Sequence, residues 1–329
     1  MINNIITFSV RNKLIIGLFT CFIIGWGLYS LTKIPIDAVP DITNNQVQII
    51  TTSESLAAQE VEQYITYPVE LAMNNLPGVQ EIRSISRFGL SIVTVVFDED
   101  LGTFLPRQLV SEKLKEAEQN IGSEYGTPQM GPITSGLGEI YQYTIEALPG
   151  YESLYDATEL RTIQDWTIKR QLSGTKGIVE INSWGGYLKQ YEVAINPNKL
   201  NSFDLTLSEI FTALQKNNQN TGGSYIEKGA NLYFIRGKGL VGSIDEIKKI
   251  VVTKRNQVPI TIADIGEVGI GHAPRFGAAT MDGKGEAVIG IVMMLKDANT
   301  INVIADVKER IAEIQKTLPE GVVIKPFVD

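Results

Sequence analysis

Hydrophobic positions change their period along the chain, and each change predicts where an element begins or ends. Residues 14–32 (LIIGLFTCFIIGWGLYSLT) form an apolar run without a single charge, whereas Ile2, Ile5, Ile6 and Val10 before it share one face of an amphipathic helix, suited to lying along a membrane surface. The run approaches the ~20 residues that a helix needs to cross ~30 Å of hydrocarbon. Trp26 and Tyr29 lie toward its far end, where amphipathic aromatics settle at an interface. Arg11 and Lys13 precede the run, and Asp37 and Asp41 follow it. The positive-inside tendency therefore predicts a cytoplasmic N-terminus and an extracytoplasmic chain after Lys33. A cleaved signal peptide is the competing reading, but its apolar core is only about 7–15 residues long and an A-x-A-like site should follow. Neither fits, so a retained anchor is expected. Residues 287–295 (AVIGIVMML) suit a buried strand better than a second span.

Beyond the anchor the pattern alternates between strand and helix periods, and the order recurs. Residues 47–52 predict a strand. Ala57, Ala58, Val61, Tyr64, Ile65, Val69, Ala72 and Leu76 mark one face of a long helix, with a kink expected at Pro68. Leu76-Pro77-Gly78-Val79 ends that helix and opens a strand to about Ser86. Gly89 turns the chain into 90–97 (LSIVTVVF), and a helix with Leu105, Leu109, Val110, Leu114, Ala117 and Ile121 inward follows. A second round starts near Glu139, with Tyr141, Tyr143 and Ile145 alternating in a strand. Asp156 and Glu159 form a capping-box-like pair on a helix reaching Leu172. Gly177-Ile178-Val179-Glu180-Ile181 then echoes Gly78-Val79-Gln80-Glu81-Ile82. The rest of that round comes late: strand 286–295, a helix with Ile304, Val307, Ile311, Ile314 and Leu318 inward, and Pro319-Glu320-Gly321 before strand 322–325. Duplication of one split β-α-β unit explains this order. The segment between, near 184–283, then forms an inserted lobe with its own core, so strands 178–183 and 286–295 should lie adjacent in one sheet. Within the lobe, strands are expected at 191–195, 232–236, 250–253 and 258–262. A helix capped by Thr206 and Glu209 turns Leu207, Ile210, Phe211 and Leu214 inward, and 217–223 (NNQNTGG) is an exposed loop.

Composition narrows the chemistry. The chain is 43% hydrophobic and 20% charged, as expected of a globular protein, and its 29 basic and 37 acidic residues leave a formal charge of −8 that disfavours nucleic-acid binding. The single cysteine (Cys21, inside the apolar run) and single histidine exclude an intramolecular disulfide framework, a Cys-based zinc site and a multi-histidine metal site. Gly136-x-Gly138 lacks the third glycine of a dinucleotide fingerprint, and there is no Walker loop or G-x-S-x-G elbow. His272 is expected to be a surface or capping residue rather than a metal ligand, and Asp98-Glu99-Asp100 a solvated strand end rather than a cation site. Met73, Met130, Met281, Met293 and Met294 are soft thioethers suited to copper(I), but read better as core filler. No catalytic, cofactor-binding or metal-ligating residue is assigned, and an enzyme is not expected.

The informative motifs are elsewhere. Lys33-Ile34-Pro35-Ile36-Asp37-Ala38-Val39-Pro40-Asp41-Ile42-Thr43-Asn44 resembles the segment after the first span in the heavy-metal efflux branch of the resistance-nodulation-division permeases. So do Val61-Glu62-Gln63, Tyr67-Pro68-Val69-Glu70 and Ile82-Arg83-Ser84-Ile85-Ser86-Arg87-Phe88-Gly89-Leu90-Ser91. Met130-Gly131-Pro132-Ile133, Gly136-Leu137-Gly138-Glu139-Ile140-Tyr141, Gln164-Asp165-Trp166, Gly185-Gly186 and Leu318-Pro319-Glu320-Gly321-Val322 extend the likeness along the whole chain in order.

The resemblance implies an α+β fold: residues 1–33 as amphipathic segment and first span, then two ferredoxin-like porter subdomains, the second interrupted by an α+β docking subdomain. The bounds are 46–132 for the first porter subdomain, 133–183 with 285–327 for the second and 184–284 for the docking insertion. It also implies an inner-membrane homotrimer, with residues after 33 periplasmic. Such a permease exports Cu/Ag or Zn/Co/Cd/Ni cations in exchange for protons, with a periplasmic adaptor and an outer-membrane channel, and needs no cofactor. The chain corresponds to the N-terminal third. The family's proton relay and principal metal site lie in later regions, so neither carries over, and Asp37 and Asp41 are read as structural, capping turns beside prolines. Two alternatives stand: a permease for organic compounds, whose chains usually lack Pro-Ile-Asp-Ala-Val-Pro-Asp-Ile, and a single-span, membrane-anchored periplasmic binding or scaffold protein.

Overall fold

The computed structural model describes residues 2–31, 43–53, 56–229, 231–255, 257–275, 277–296 and 298–329. Thr32 and the segment 33–42, with Asp37 and Asp41, lie outside the described residues. Helix α1 (Ile2–Arg11) precedes helix α2 (Lys13–Leu31), the apolar run, which buries none of its residues. The hydroxyl of Thr20 donates to the Ile16 carbonyl at 2.8 Å, which satisfies a polar group on an otherwise apolar helix. Phe22 and Trp26 lie one turn apart with ring centroids at 5.9 Å and planes tilted by 41°.

Strand β1 (Gln46–Thr52) opens the first sheet. The long helix predicted after it comprises α3 (Ala58–Val61), a π turn (Glu62–Thr66) and α4 (Tyr67–Met73). The irregularity expected at Pro68 thus falls one turn earlier, where the Tyr67 N–H reaches back five residues to the Glu62 carbonyl. Strands β2 (Val79–Arg87) and β3 (Leu90–Phe97), helix α5 (Phe104–Asn120) and the short β4 (Gln129–Met130) follow, and the strand order is β2-β3-β1-β4. Alternation sends Val47, Ile49, Val93, Val95 and Phe97 inward against Ile65, Val69, Met73, Val110 and Ala117 of the helices. Leu105, expected inward on α5, is instead exposed, because Pro106 and Val110 set the buried face of the first turn.

The second sheet starts with β5 (Glu139–Ala147), then α6 (Ala157–Ile163), a π turn (Gln164–Ile168), α7 (Lys169–Leu172) and β6 (Ile178–Trp184). Asp156 caps α6 by accepting from the Thr158 and Glu159 N–H groups at 2.9 Å. The expected reciprocal bond from Glu159 is absent, since its carboxylate pairs with Lys189 at 2.6 Å.

The chain then departs through β7 (Lys189–Ile195), α8 (Pro197–Ser202), α9 (Leu207–Lys216), β8 (Thr221–Lys228), β9 (Asn231–Gly237), α10 (Ile244–Lys248), β10 (Val251–Arg255), β11 (Val258–Thr261), α11 (Ile262–Ile265) and β12 (Gly266–His272). Strands pair as β12-β7, β8-β9 and β10-β11, and a core that includes Leu205, Ile210, Ile247, Ile260, Ile262 and Ile265 packs against β7, β10 and β12. The Thr206–Glu209 box forms as expected, but Leu207 and Phe211 face outward; Ile210, Ala213 and Leu214 are the packed side. Only the start of 217–223 is loop. From Thr221 onward it is β8, a strand hidden in the sequence by Gly222-Gly223.

The return runs through β13 (Val288–Met294), α12 (Thr300–Gln315) and β14 (Val322–Val328), giving the order β14-β5-β13-β6. Strands β6 and β13 are neighbours, as the interrupted-unit reading required, and the Leu295 N–H donates to the Gly177 carbonyl at 2.8 Å. Three of the helix-to-strand junctions use Gly78, Gly177 and Gly321, all at positive φ (76°, 81° and 88°), a backbone that side chains resist. By internal packing the chain forms two compact units. One comprises Met1–Ile145, Thr167–Ser183 and Ile289–Asp329, the other Glu146–Trp166 with Trp184–Val288.

Candidate functional site

Two members of the acidic run named in the sequence, Asp98 and Glu99, hold the fold together. The Asp98 carbonyl accepts from Asn45 Nδ2 at 3.0 Å, Asp98 Oδ1 accepts from Gln80 Nε2 at 2.5 Å, and Glu99 Oε1 accepts from the Asn45 N–H at 3.0 Å. The acidic run therefore pins the start of β1 through a buried asparagine that sequence reasoning did not single out. The thioethers are scattered rather than convergent. Met73 is fully buried in the first core, Met130 packs against that core, Met293 Sδ accepts from Asn182 Nδ2 at 3.0 Å, and Met294 Sδ accepts from the Thr300 hydroxyl at 3.5 Å. Among the described residues no three His, Cys, Asp or Glu side chains converge as a metal site.

The densest polar constellation is at the root of the excursion, within the second compact unit. Gly185 and Gly186 turn the chain there at φ of 69° and 66°. The Gly185 carbonyl accepts from Arg161 Nη1 at 2.7 Å, while Arg161 Nε pairs with Asp165 at 2.8 Å, an i,i+4 bridge. The Gly186 N–H donates to Glu286 Oε1 at 2.9 Å, and the same oxygen pairs with Arg275 Nη1 at 2.6 Å. Arg275 lies 4.0 Å over the Tyr187 ring and donates to its hydroxyl at 3.0 Å. The Glu286 carboxylate holds the Arg275 guanidinium above its ordinary pKa. His272, at the end of β12, is exposed with its ring 4.8 Å from that of Tyr187. Two arginines thus clamp one Gly-Gly corner. The sequence signals for it were the glycine pair and Asp165 within Gln164-Asp165-Trp166.

Beside this corner lies a cleft of about 210 Å³ lined by Arg161, Asp165, Trp166, Leu188, Tyr191 and Ile270, among others. That volume is below the usual ligand range of roughly 300–1,000 Å³. At its rim the Glu159 carboxylate raises the pKa of Lys189. The other conspicuous surface is the β8–β9 hairpin, exposed along both strands, with Tyr225, Ile226, Leu232, Tyr233, Phe234 and Ile235 among its outward residues. A lone two-stranded hairpin is marginal in water.

Comparisons with known proteins agree with this layout. The AcrB/AcrD/AcrF family model matches residues 5–329. The chain is 44% identical over its whole length to the cation efflux system protein CzcA of an Alcaligenes species, and 44% identical to the cobalt-zinc-cadmium resistance protein CzcA of Cupriavidus metallidurans. In each case it spans about a third of the relative's length (31%). A crystal structure of a heavy metal efflux pump superposes with a TM-score of 0.87 at 31% identity, covering 99% of this chain and 32% of that one. The chain belongs to the AcrB/AcrD/AcrF family, in the heavy-metal efflux branch of the resistance-nodulation-division permeases.

Proposed function

We propose that this chain works as the N-terminal part of a proton-driven antiporter that exports heavy-metal cations through a tripartite envelope complex. The observation that carries the reading is the end-to-end identity with cation efflux proteins, including one named for cobalt, zinc and cadmium resistance. In this reading α2 is the first span, the N-terminus is cytoplasmic and the region after residue 33 is periplasmic; the two flanking basic residues favour that orientation. The two β-α-β-β-α-β units are ferredoxin-like porter subdomains (46–132, and 133–183 with 285–327), and their strand orders support this assignment. Residues 184–284 form the docking insertion. Its exposed hairpin suits contact with the neighbouring protomer of a homotrimer, and its outer surface suits an adaptor and an outer-membrane channel.

Mechanistically, the porter units open and close a cleft as protonation changes in the membrane, so cations pass between them by alternating access. No resident metal or cofactor is assigned to these residues; the cation is the cargo. The test is a hybrid in which residues 1–329 replace the matching region of the Cupriavidus metallidurans relative. Restored export of zinc, cobalt or cadmium supports the proposal. A hybrid that reaches the membrane and assembles but exports none of these ions overturns it. A reporter fused after Asp41 checks the orientation separately, and should be active only outside the cytoplasm.

A further inference from the structure

We propose that α1 is an interfacial helix that lies against anionic phospholipid headgroups on the side of the membrane from which α2 enters. Asn12 separates α1 from α2: its N–H and its Nδ2 both donate to the Phe8 carbonyl (2.9 and 3.1 Å), and its own carbonyl accepts from the Ile16 N–H at 3.1 Å. Beyond that break, α1 exposes apolar side chains. Ile6 (56% exposed) and Val10 (63% exposed) lie one helical turn apart on one face, with Thr7 and Arg11 turned away from it, while Phe8 (53% exposed) lies on the opposite side. Such a face buries itself at the boundary between headgroups and acyl chains.

The charge pattern selects the lipid. No carboxylate precedes Asp37, whereas Arg11 and Lys13 flank the break, where the helices meet the headgroup layer. Each basic residue near an anionic leaflet favours binding by about fivefold. The inference rests on α2 being a span, and the experiment separates the two.

The full chain, with Cys21→Ser as background, carries a fluorophore at Ile6→Cys, Thr7→Cys or Phe19→Cys in vesicles of phosphatidylcholine with or without phosphatidylglycerol, and lipid-borne nitroxides quench it. The expected result is strong quenching at positions 6 and 19 and several-fold weaker quenching at position 7. Quenching at position 6 should increase with phosphatidylglycerol and fall when Arg11→Gln and Lys13→Gln are combined. Equal, weak quenching at 6 and 7 with position 19 still quenched overturns the interfacial helix and leaves the span intact. Loss of quenching at 19 overturns the span itself, and the proposal with it. Indifference of position 6 to lipid charge and to both substitutions overturns the assignment to anionic headgroups.

Discussion

The two four-stranded sheets share one plan, yet only one is built from a continuous stretch of chain. In β2-β3-β1-β4 the strands β2 and β3 are joined by a tight turn at Gly89, with the Ser53 N–H donating to the Gly89 carbonyl at 2.9 Å. In β14-β5-β13-β6 the equivalent strands, β6 and β13, are separated by the whole excursion. The strand order is the same. Connection length therefore does not set the topology; burial of the alternating apolar faces does, because loop-closure entropy grows only with the logarithm of loop length. The likeness extends to an irregular element. The first helix of each unit contains a π turn, Glu62–Thr66 in one and Gln164–Ile168 in the other, and each holds a buried polar residue, Thr66 or Gln164.

The units differ most where the chain changes direction, and the largest mutational effect is expected there. At Gly185, with φ at 69°, a Cβ would overlap the backbone carbonyl of Ala287 and come within 2.8 Å of Ala279 Cβ. Backbone cannot step aside cheaply. Gly185→Ala should cost about 3 kcal/mol or more, the sum of the left-handed penalty and overpacking. At Gly78, with φ at 76°, the obstacle is the end of the flexible Leu101 side chain, so Gly78→Ala should cost about 1–2 kcal/mol. Chemical denaturation of the two variants, followed by tryptophan emission for the Trp184 region, checks the order. Equal losses would mean that the root of the excursion is no more rigid than an ordinary turn.

A smaller effect separates the π turns. Thr66 Oγ1 lies 2.8 Å from both Ser86 Oγ and Ser91 Oγ, a hydroxyl seam between the first helix and strands β2 and β3. Thr66→Val leaves two hydroxyls short of a partner and should cost about 2 kcal/mol, with shape nearly conserved. Adding Ser86→Ala and Ser91→Ala to Thr66→Val should recover part of that loss. A triple variant less stable than the single one would show that packing, not hydrogen bonding, gives the seam its value.

Next in size is the acid response of the excursion relative to the sheets. Backbone and side-chain bonds from Thr206 and Thr261 lower the pKa values of Glu209 and Asp264, whose ordinary values are 4.5 and 3.8. A carboxyl group with a lowered folded pKa contributes stability above its ordinary value and loses it as pH falls through the folded one. Both capping boxes are in the excursion, so this region should weaken below about pH 4, ahead of the sheets. Thr206→Ala should cost about 1 kcal/mol at neutral pH and less in acid, because the cap is then already fading. Hydrogen exchange on α9 between pH 7 and pH 3 provides the measurement; a penalty independent of pH would contradict the assignment.

Much of this plan was legible in the residues. Apolar and β-branched runs placed β1, β3 and β13, alternation placed β5, and the recurring Gly-Val/Ile junction pointed to the duplication, because these signals are local. What stayed hidden depends on distant partners. Strand β8 contains Gly222-Gly223 and is exposed throughout, so neither periodicity nor burial marked it. Leu207 and Phe211 are apolar at helical spacing, yet they lie outside the packed face, which periodicity alone cannot orient. The Arg161–Gly185 and Arg275–Glu286–Gly186 clamps join residues far apart in sequence, and arginines and glutamates at those positions look like ordinary surface. Asp37 and Asp41, prominent in the family motif, fall outside the described residues.

The smallest expected effect is the sharpest test of the comparison. Pro68 lacks an N–H, and its ring crowds the carbonyl four residues earlier, so proline is the obvious cause of the π turn before it. The second unit argues otherwise. Its π turn, Gln164–Ile168, is followed by Lys169-Arg170-Gln171-Leu172 with no proline, yet the irregularity sits in the same helix of the same plan. The shared cause is then the packing of that helix on its sheet, where a widened turn brings residues such as Ile65 and Ile168 fully inward. Proline tolerates the geometry rather than imposing it. Pro68→Ala should therefore change stability by no more than about 1 kcal/mol, since alanine is a good helix former and gains only the entropy difference of the unfolded chain. A crystal structure of the variant should keep the Tyr67 N–H on the Glu62 carbonyl, five residues back. If the bond shifts to Gln63 and the segment becomes continuous α-helix, proline was the cause in this unit, and the two π turns are alike in place but not in origin.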